Sequence, residues 1–210
     1  MDRWVAQGLH GNMSYLERNR EKRYDPRELV PGATAVVVCV LRYDKCRRDY
    51  HRTIKSMLYQ LDALLQSNPS ESSSSPDTSA SPQTISSLPQ HLFCDSAPFL
   101  ERRWAVRAGL GFIGRNHQFF HHTLGSMVHL GEIVIDRAIE TTEVIAPIKT
   151  IESRFVATPC ADCHLCEEAC PTGALRNPVW DATRCIAYTT HRCLICQQAC
   201  PLNEHRPHHS

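Results

Sequence analysis

Eight of the eleven cysteines in this 210-residue chain fall between residues 160 and 200, in two runs that each end in Cys-Pro. The first run is Cys160-x2-Cys163-x2-Cys166-x3-Cys170-Pro171. This is the spacing of the bacterial ferredoxin run, in which three closely spaced thiolates wrap one [4Fe–4S] cluster. The fourth cysteine, turned away by its proline, reaches the other cluster. The second set is Cys185 followed by Cys193-x2-Cys196-x3-Cys200-Pro201, in which the upstream Cys185 replaces one internal cysteine of the standard run. The crossing rule assigns Cys160, Cys163, Cys166 and Cys200 to the first cluster, and Cys185, Cys193, Cys196 and Cys170 to the second. Two structural zinc sites are the competing reading of the Cys-x2-Cys pairs. Zinc gives no role to the paired Cys-Pro endings, so the spacing favours iron–sulfur chemistry.

The rest of the composition agrees with a reduced compartment. Met1-Asp2-Arg3-Trp4 opens no basic-then-apolar leader, and no run of about eighteen apolar residues spans a bilayer. Many cysteines without a secretory leader argue for metal-holding thiols over disulfides, and the expected location is the cytoplasm. The formal charge is +1. Each cluster on four thiolates carries roughly −2 when oxidised, so the loaded protein is mildly acidic. Nucleic-acid affinity would need a local basic face such as residues 18–23, and the interleaved Glu17 and Glu21 make a solvated helix face an equal reading. Cys39 reads as a small buried hydrophobe, whereas Cys46 and Cys94 carry no motif.

Before the cysteines the pattern is mixed. Residues 33–41 form a β-branched run after Pro31-Gly32 and predict a buried strand. Ile54, Met57, Leu58, Leu61, Leu64 and Leu65 recur at helical spacing. Residues 66–87 are rich in Ser, Pro and Thr and predict a disordered insert. Residues 98–108 predict a short helix and residues 126–136 a strand. The expected class is α+β: a mixed α/β body over 1–150, then a ferredoxin-type domain over 151–210.

Gly109-Leu110-Gly111-Phe112-Ile113-Gly114 matches G-x-G-x-x-G, with Glu132 eighteen residues beyond Gly114. A dinucleotide site requires a strand before the glycines and a helix after them. Here the predicted order is reversed, so a helix C-cap at Gly109 followed by a close-packed loop is the better account.

Several separated segments converge on one family. They are residues 22–32 (KRYDPRELVPG), 48–51 (RDYH), 95–102 (DSAPFLER), 108–116 (AGLGFIGRN) and 125–136, closed by the double-cysteine region from Cys160 to Asn203. In this order they resemble the epoxyqueuosine reductases. The resemblance implies a cobalamin between the body and the cluster domain, and reduction of an epoxide on a modified wobble base of tRNA. It also implies that Asp95 of the Asp-Ser-Ala-Pro segment is the catalytic proton donor. Asn116, Phe119, Leu130 and Ala187 map to corrin contacts, with Arg23, Tyr50 and His51 as further candidates. An external low-potential donor such as a ferredoxin or flavodoxin and a monomeric state are the accompanying expectations. The connections over 41–48 and between Cys185 and Cys193 are shorter than is usual in that family. An electron carrier without its own substrate and a cobalamin-dependent reductive dehalogenase are the alternatives. Without the resemblance, Asp95 reads as a helix N-cap.

Overall fold

The structure is a computed structural model that describes residues 1–45, 49–66, 91–137, 160, 162–176, 179–190 and 192–204. The predicted insert, the 150/151 boundary, Cys46 and the histidine-rich tail lie outside them, as does Gln66 at the level of its side chain. The α+β class expected from the sequence is the class found.

Helices α1 (Asp2–Ala6), α2 (Arg20–Tyr24), α3 (Tyr50–Gln66) and α4 (Glu101–Arg107) belong to the first part of the chain. Strands β1 (Ala35–Arg42), β2 (Leu92–Phe93) and β5 (Val128–Ile135) form an antiparallel sheet in the order β1-β5-β2. Strands β3 (Gly111–Ile113) and β4 (Phe119–His121) form a hairpin, and β6 (Leu175–Arg176) and β7 (Val179–Trp180) form another. Four short helices follow the second half of the sequence: α5 (Leu165–Glu168), α6 (Ile186–Thr190), α7 (Ile195–Gln198) and α8 (Pro201–Glu204).

The β-branched run forms β1 as expected, but every residue in it is only half-buried. The reason is position: β1 is an outer strand of this sheet, while β5 lies between β1 and β2 and is buried almost throughout. The register pairs Val38 with Glu132, Leu41 with His129 and Phe93 with Glu132. Alternation along β5 then sorts its side chains. Ile133 and Ile135 meet Ile54 and Leu58 of α3, while Val128 and Leu130 meet Ala105 and Val106 of α4. Gly131 lets α3 approach, since a Cβ there would lie 2.5 Å from Ile54.

Only part of the predicted stripe on α3 is used. Ile54 and Leu58 are buried and Leu61 is half-buried, whereas Met57, Leu64 and Leu65 face outward. Buried Asp62 takes the next place on the inner face, within hydrogen-bond reach of His91 at 3.1 Å and Arg137 at 3.2 Å. An uncompensated carboxylate there would be costly, and the Arg137 guanidinium together with the His91 contact offsets it.

The glycine motif is also resolved. Gly109 follows α4 with φ +74, as the C-cap expectation required. Gly111 instead opens β3, and a Cβ on it would lie 1.8 Å from the Phe120 carbonyl oxygen. The glycines therefore serve hairpin packing against Phe120, as the close-packed loop expected from the sequence.

The cysteine-rich segment packs onto the sheet through a polar staple. Gln197 donates to the Ser126 carbonyl at 2.9 Å and Asn203 to the Ser126 hydroxyl at 2.9 Å, while the Ser126 N–H donates to Asn203 at 3.0 Å. The N-terminal residues join the same segment: Trp4 stacks on Trp180 at 5.4 Å, and the Ala182 N–H donates to the Leu9 carbonyl at 2.9 Å. Among the described residues no helix is long and apolar enough to cross a membrane.

Candidate active site at the sheet edge and the cysteine segment

Asp95 follows β2 directly and adopts φ +50, a left-handed conformation that Asp tolerates better than most residues. It lies between the two faces of the sheet and is exposed. It does not cap α4, whose first residue is six positions later and whose N-cap Leu100 offers no side-chain bond. The carboxylate is met from the α3 side by the Tyr50 hydroxyl, which donates to Asp95 Oδ2 at 2.8 Å. On the α4 side, the Asp95 N–H donates to Glu101 Oε1 at 2.6 Å.

A row of rings adjoins this point. Tyr50 stacks on His129 at 4.0 Å and 5°, and on His51 at 4.0 Å; Tyr43 lies 4.3 Å from His129. His51 Nδ1 sits 3.1 Å from the Cys94 carbonyl. Burial, followed by the hydrogen bond to Asp95, pushes the Tyr50 phenol upward, so it stays a donor. Burial lowers the His129 imidazole, which favours the neutral ring. Burial and then the Asp95 charge push Glu101 up to about 8. Burial, then Glu101 and Asp95, push Glu132 up to about 10. Burial and then Glu101 push the Cys94 thiol up to about 12.

The structure therefore brings together Asp95, Tyr50 and His51 from the sequence expectations. It adds Tyr43, Glu101 and His129, which the sequence reading did not single out, and Glu132, named there only for its spacing from the glycine motif. His129 and Glu132 sit on opposite faces of the predicted strand, and polar residues inside an otherwise apolar strand were the available signal.

The corrin candidates are placed less openly. Phe119 and Leu130 lie in the core beside α4 at 4 % and 8 % exposure, so each offers little surface. Asn116 is buried; its amide accepts from the Gln118 N–H at 3.1 Å and reaches the Cys196 carbonyl at 3.5 Å. Ala187 is half-buried on α6, just after Cys185. Arg23 is buried and committed to the carbonyls of Arg18 and Tyr15, which ties down the N-terminal segment.

Cys160, Cys163, Cys166 and Cys200 line one small cavity with Arg115, Asn116 and Phe120. These four are the crossing set for the first cluster. Burial, followed by neighbours that include Cys160, Cys200 and Cys163, pushes Cys166 up to about 11. Cys196 rises likewise, through burial and then the thiols of Cys166, Cys193, Cys185 and Cys170. The other four candidates thus also gather around one neighbourhood. Among the described residues no three Cys, His, Asp or Glu side chains converge as a single ion requires. In a [4Fe–4S] cluster each iron takes one protein thiolate, so four thiols around one cavity are the residues that could hold one. Arg115 is held at this cavity by Glu167 at 2.9 Å, and Glu167 is held by His164 at 3.1 Å.

One orphaned polar atom fits a bound cofactor beside the β3–β4 loop. His117 Nε2 is buried with no hydrogen-bond partner. The His117 carbonyl accepts from Arg102 at 2.7 Å, and Gln197 of the cysteine segment lies within hydrogen-bond reach of the Tyr43 phenol.

No family model matches the chain. Curated relatives do. The epoxyqueuosine reductase of Cyclobacterium marinum is 30% identical over 208 residues, covering 90% of this chain and 59% of the relative. That of Pseudomonas aeruginosa is 30% identical over 212 residues, covering 90% and 52%. The chain thus spans little more than half the length of the relatives it matches. Among solved structures, an epoxyqueuosine reductase with an epoxyqueuosine-modified tRNA-Tyr stem loop gives a TM-score of 0.69 at 26% identity, over 99% of this chain and 59% of that one. The epoxyqueuosine reductase of Streptococcus thermophilus gives 0.67 at 22% identity over 97% and 58%, a likeness of fold.

Proposed function

We propose that this relative of the epoxyqueuosine reductases itself reduces epoxyqueuosine to queuosine at the wobble position of a tRNA. It is an oxidoreductase carrying two [4Fe–4S] clusters and cobalamin. Residues 1–150 supply the cobalamin-binding body and residues 151–210 the two-cluster domain. The observation that supports the reading is Asp95 held by Tyr50 at 2.8 Å, in a chain whose Cys160, Cys163, Cys166 and Cys200 line one cavity. A relative solved with a modified tRNA stem loop supports the choice of substrate.

Removing an epoxide oxygen as water, leaving an alkene, takes two electrons and two protons. The clusters and cobalamin, once bound, supply the electrons that no side chain provides. Cys160, Cys163, Cys166 and Cys200 would hold one cluster, and Cys170, Cys185, Cys193 and Cys196 the other. Asn116, Phe119, Leu130 and Ala187 would border the corrin, with Tyr50 and His51 beside it. Asp95 gives a proton to the leaving oxygen, which would otherwise depart as an unstable alkoxide. Tyr50 orients the carboxyl, and neutral His129 supports Tyr50 by stacking. The electrons arrive from an external low-potential donor such as a ferredoxin or flavodoxin.

Anaerobic reconstitution tests the cofactor set. About eight irons and eight acid-labile sulfides per chain, together with cobalamin absorption, are expected. Stoichiometric zinc with little iron would defeat the reading, and clusters without cobalamin uptake would replace it with an electron carrier.

A further inference from the structure

We propose that Arg115 sets the reduction potential of the first cluster, by holding a positive charge against the four cysteines assigned to it. This rests on the reading of Cys160, Cys163, Cys166 and Cys200 as cluster ligands, and it concerns how easily that cluster takes an electron. Arg115 stands in the connection between β3 and β4. There the Gly114 N–H donates to the Gln118 carbonyl at 2.9 Å and the His117 N–H to the Gly114 carbonyl at 2.9 Å, while Asn116 Oδ1 accepts from the Gln118 N–H at 3.1 Å. Gly114 packs so closely that a Cβ on it would lie 2.6 Å from the Phe120 ring. A turn closed this tightly gives Arg115 a fixed starting point beside the cysteine segment.

The side chain is also held at its far end. Arg115 Nε donates to Glu167 Oε1 at 2.9 Å. Glu167 Oε2 lies 3.1 Å from His164 Nδ1, which is 3.4 Å from Arg115 Nη2. The Arg115 and Glu167 side chains are only 17 % and 18 % exposed, so water screens their charges less than it would on an open surface. Glu167 belongs to α5 and directly follows Cys166. A tie between loop and helix accounts for the ion pair but not for its orientation. Arg115 lines the cavity of the four cysteines, and Glu167 does not. The positive member of the pair therefore stands beside the thiols, and among the described residues that line this cavity it is the one cation.

The sign of the effect follows from charge. A [4Fe–4S] cluster on four thiolates is already anionic, and one electron from the external low-potential donor adds a further negative unit. Cys160, Cys166 and Cys200 are buried, so that charge accumulates where solvent answers it poorly. A guanidinium beside it favours the reduced form over the oxidised one. Glu167 acts in the opposite sense, since it holds the guanidinium in place and damps its charge. Arg115 is thus a positioning residue for the electron, which leaves again when the cluster passes it on.

Redox titration of the anaerobically reconstituted full chain, followed by electron paramagnetic resonance, reads the potential without turnover. The signal to follow is the one altered in Cys163→Ala, because Cys163 belongs to the first cluster whether or not the runs cross. In Arg115→Gln the ratio of reduced to oxidised first cluster at a fixed potential should fall about tenfold, a downward shift of about 59 mV. Arg115→Lys should keep most of the wild-type potential, and Glu167→Gln should raise it. The second cluster should move much less in every variant. Both Gln variants break the same ion pair, so mere structural damage would shift them alike, whereas a charge effect shifts them in opposite directions. If Arg115→Gln holds no iron, Arg115→Lys and Glu167→Gln carry the test. A Glu167→Gln potential at or below that of the wild type, or an unchanged one in Arg115→Gln, would overturn the inference. A wild type that takes up no iron would overturn the cluster reading itself.

Discussion

Asp95 and Glu132 are both acids near one sheet edge, and their surroundings give them different work. Asp95 is exposed and held by Tyr50, in a left-handed conformation that orients its carboxyl out of the helix-capping position. Asp95→Asn keeps the size and removes the proton. It should lower single-turnover conversion by on the order of a hundred- to ten-thousand-fold while leaving iron, sulfide and cobalamin content unchanged. Loss of cobalamin in that variant would make Asp95 a binding residue. Glu132 bears on stability. Its pKa is raised from 4.5 to about 10, so the folded state binds its proton more tightly than the unfolded chain does. The stabilisation is complete below the unfolded pKa and is lost as pH rises toward the folded one. Wild-type stability relative to Glu132→Gln should therefore fall steadily between about pH 5 and about pH 9, by up to roughly 1.4 kcal/mol per pH unit. Thermal melting of the two proteins in parallel measures this, and parallel curves would contradict it.

At the scale of elements, the parts with a strong period were legible in the sequence. β1, β5, α3 and α4 all lie where the apolar pattern placed them, within a few residues at their ends. The outward turn of Met57, Leu64 and Leu65 was not legible, because helical spacing cannot say how wide a face the sheet will cover. The row of Tyr43, His129, Tyr50 and His51 was half visible. Tyr50 and His51 are neighbours in the chain, but His129 and Tyr43 meet them only through the β1–β5 register. The staple of Ser126, Gln197 and Asn203 had no sequence signal, since each is an ordinary polar residue until the segments meet. The cysteine runs were legible because ligand spacing is a local constraint. The crossed pairing proposed for them gives a test: Cys170→Ala should disturb the cluster assigned to Cys185, Cys193 and Cys196, and Cys200→Ala the other. Electron paramagnetic resonance of the two reduced variants should show different surviving signals. Damage confined to each mutated run would reverse the assignment.

For the whole molecule, the two kinds of chemistry meet through contacts between distant parts of the chain. The N-terminal residues pack on Trp180 and Tyr188, and the sheet holds Gln197 and Asn203. The candidate cluster cysteines and Asp95 thus belong to one framework, although the chain spans only 59% of a relative such as that of Cyclobacterium marinum. The measurement that tests the central claim most directly is single-turnover conversion by anaerobically reconstituted, chemically reduced protein. The substrate is a tRNA carrying epoxyqueuosine, and its nucleosides are analysed after digestion. The account predicts queuosine in proportion to the cobalamin-loaded protein added. Unchanged epoxyqueuosine, with both clusters and cobalamin present and reduced, would contradict it.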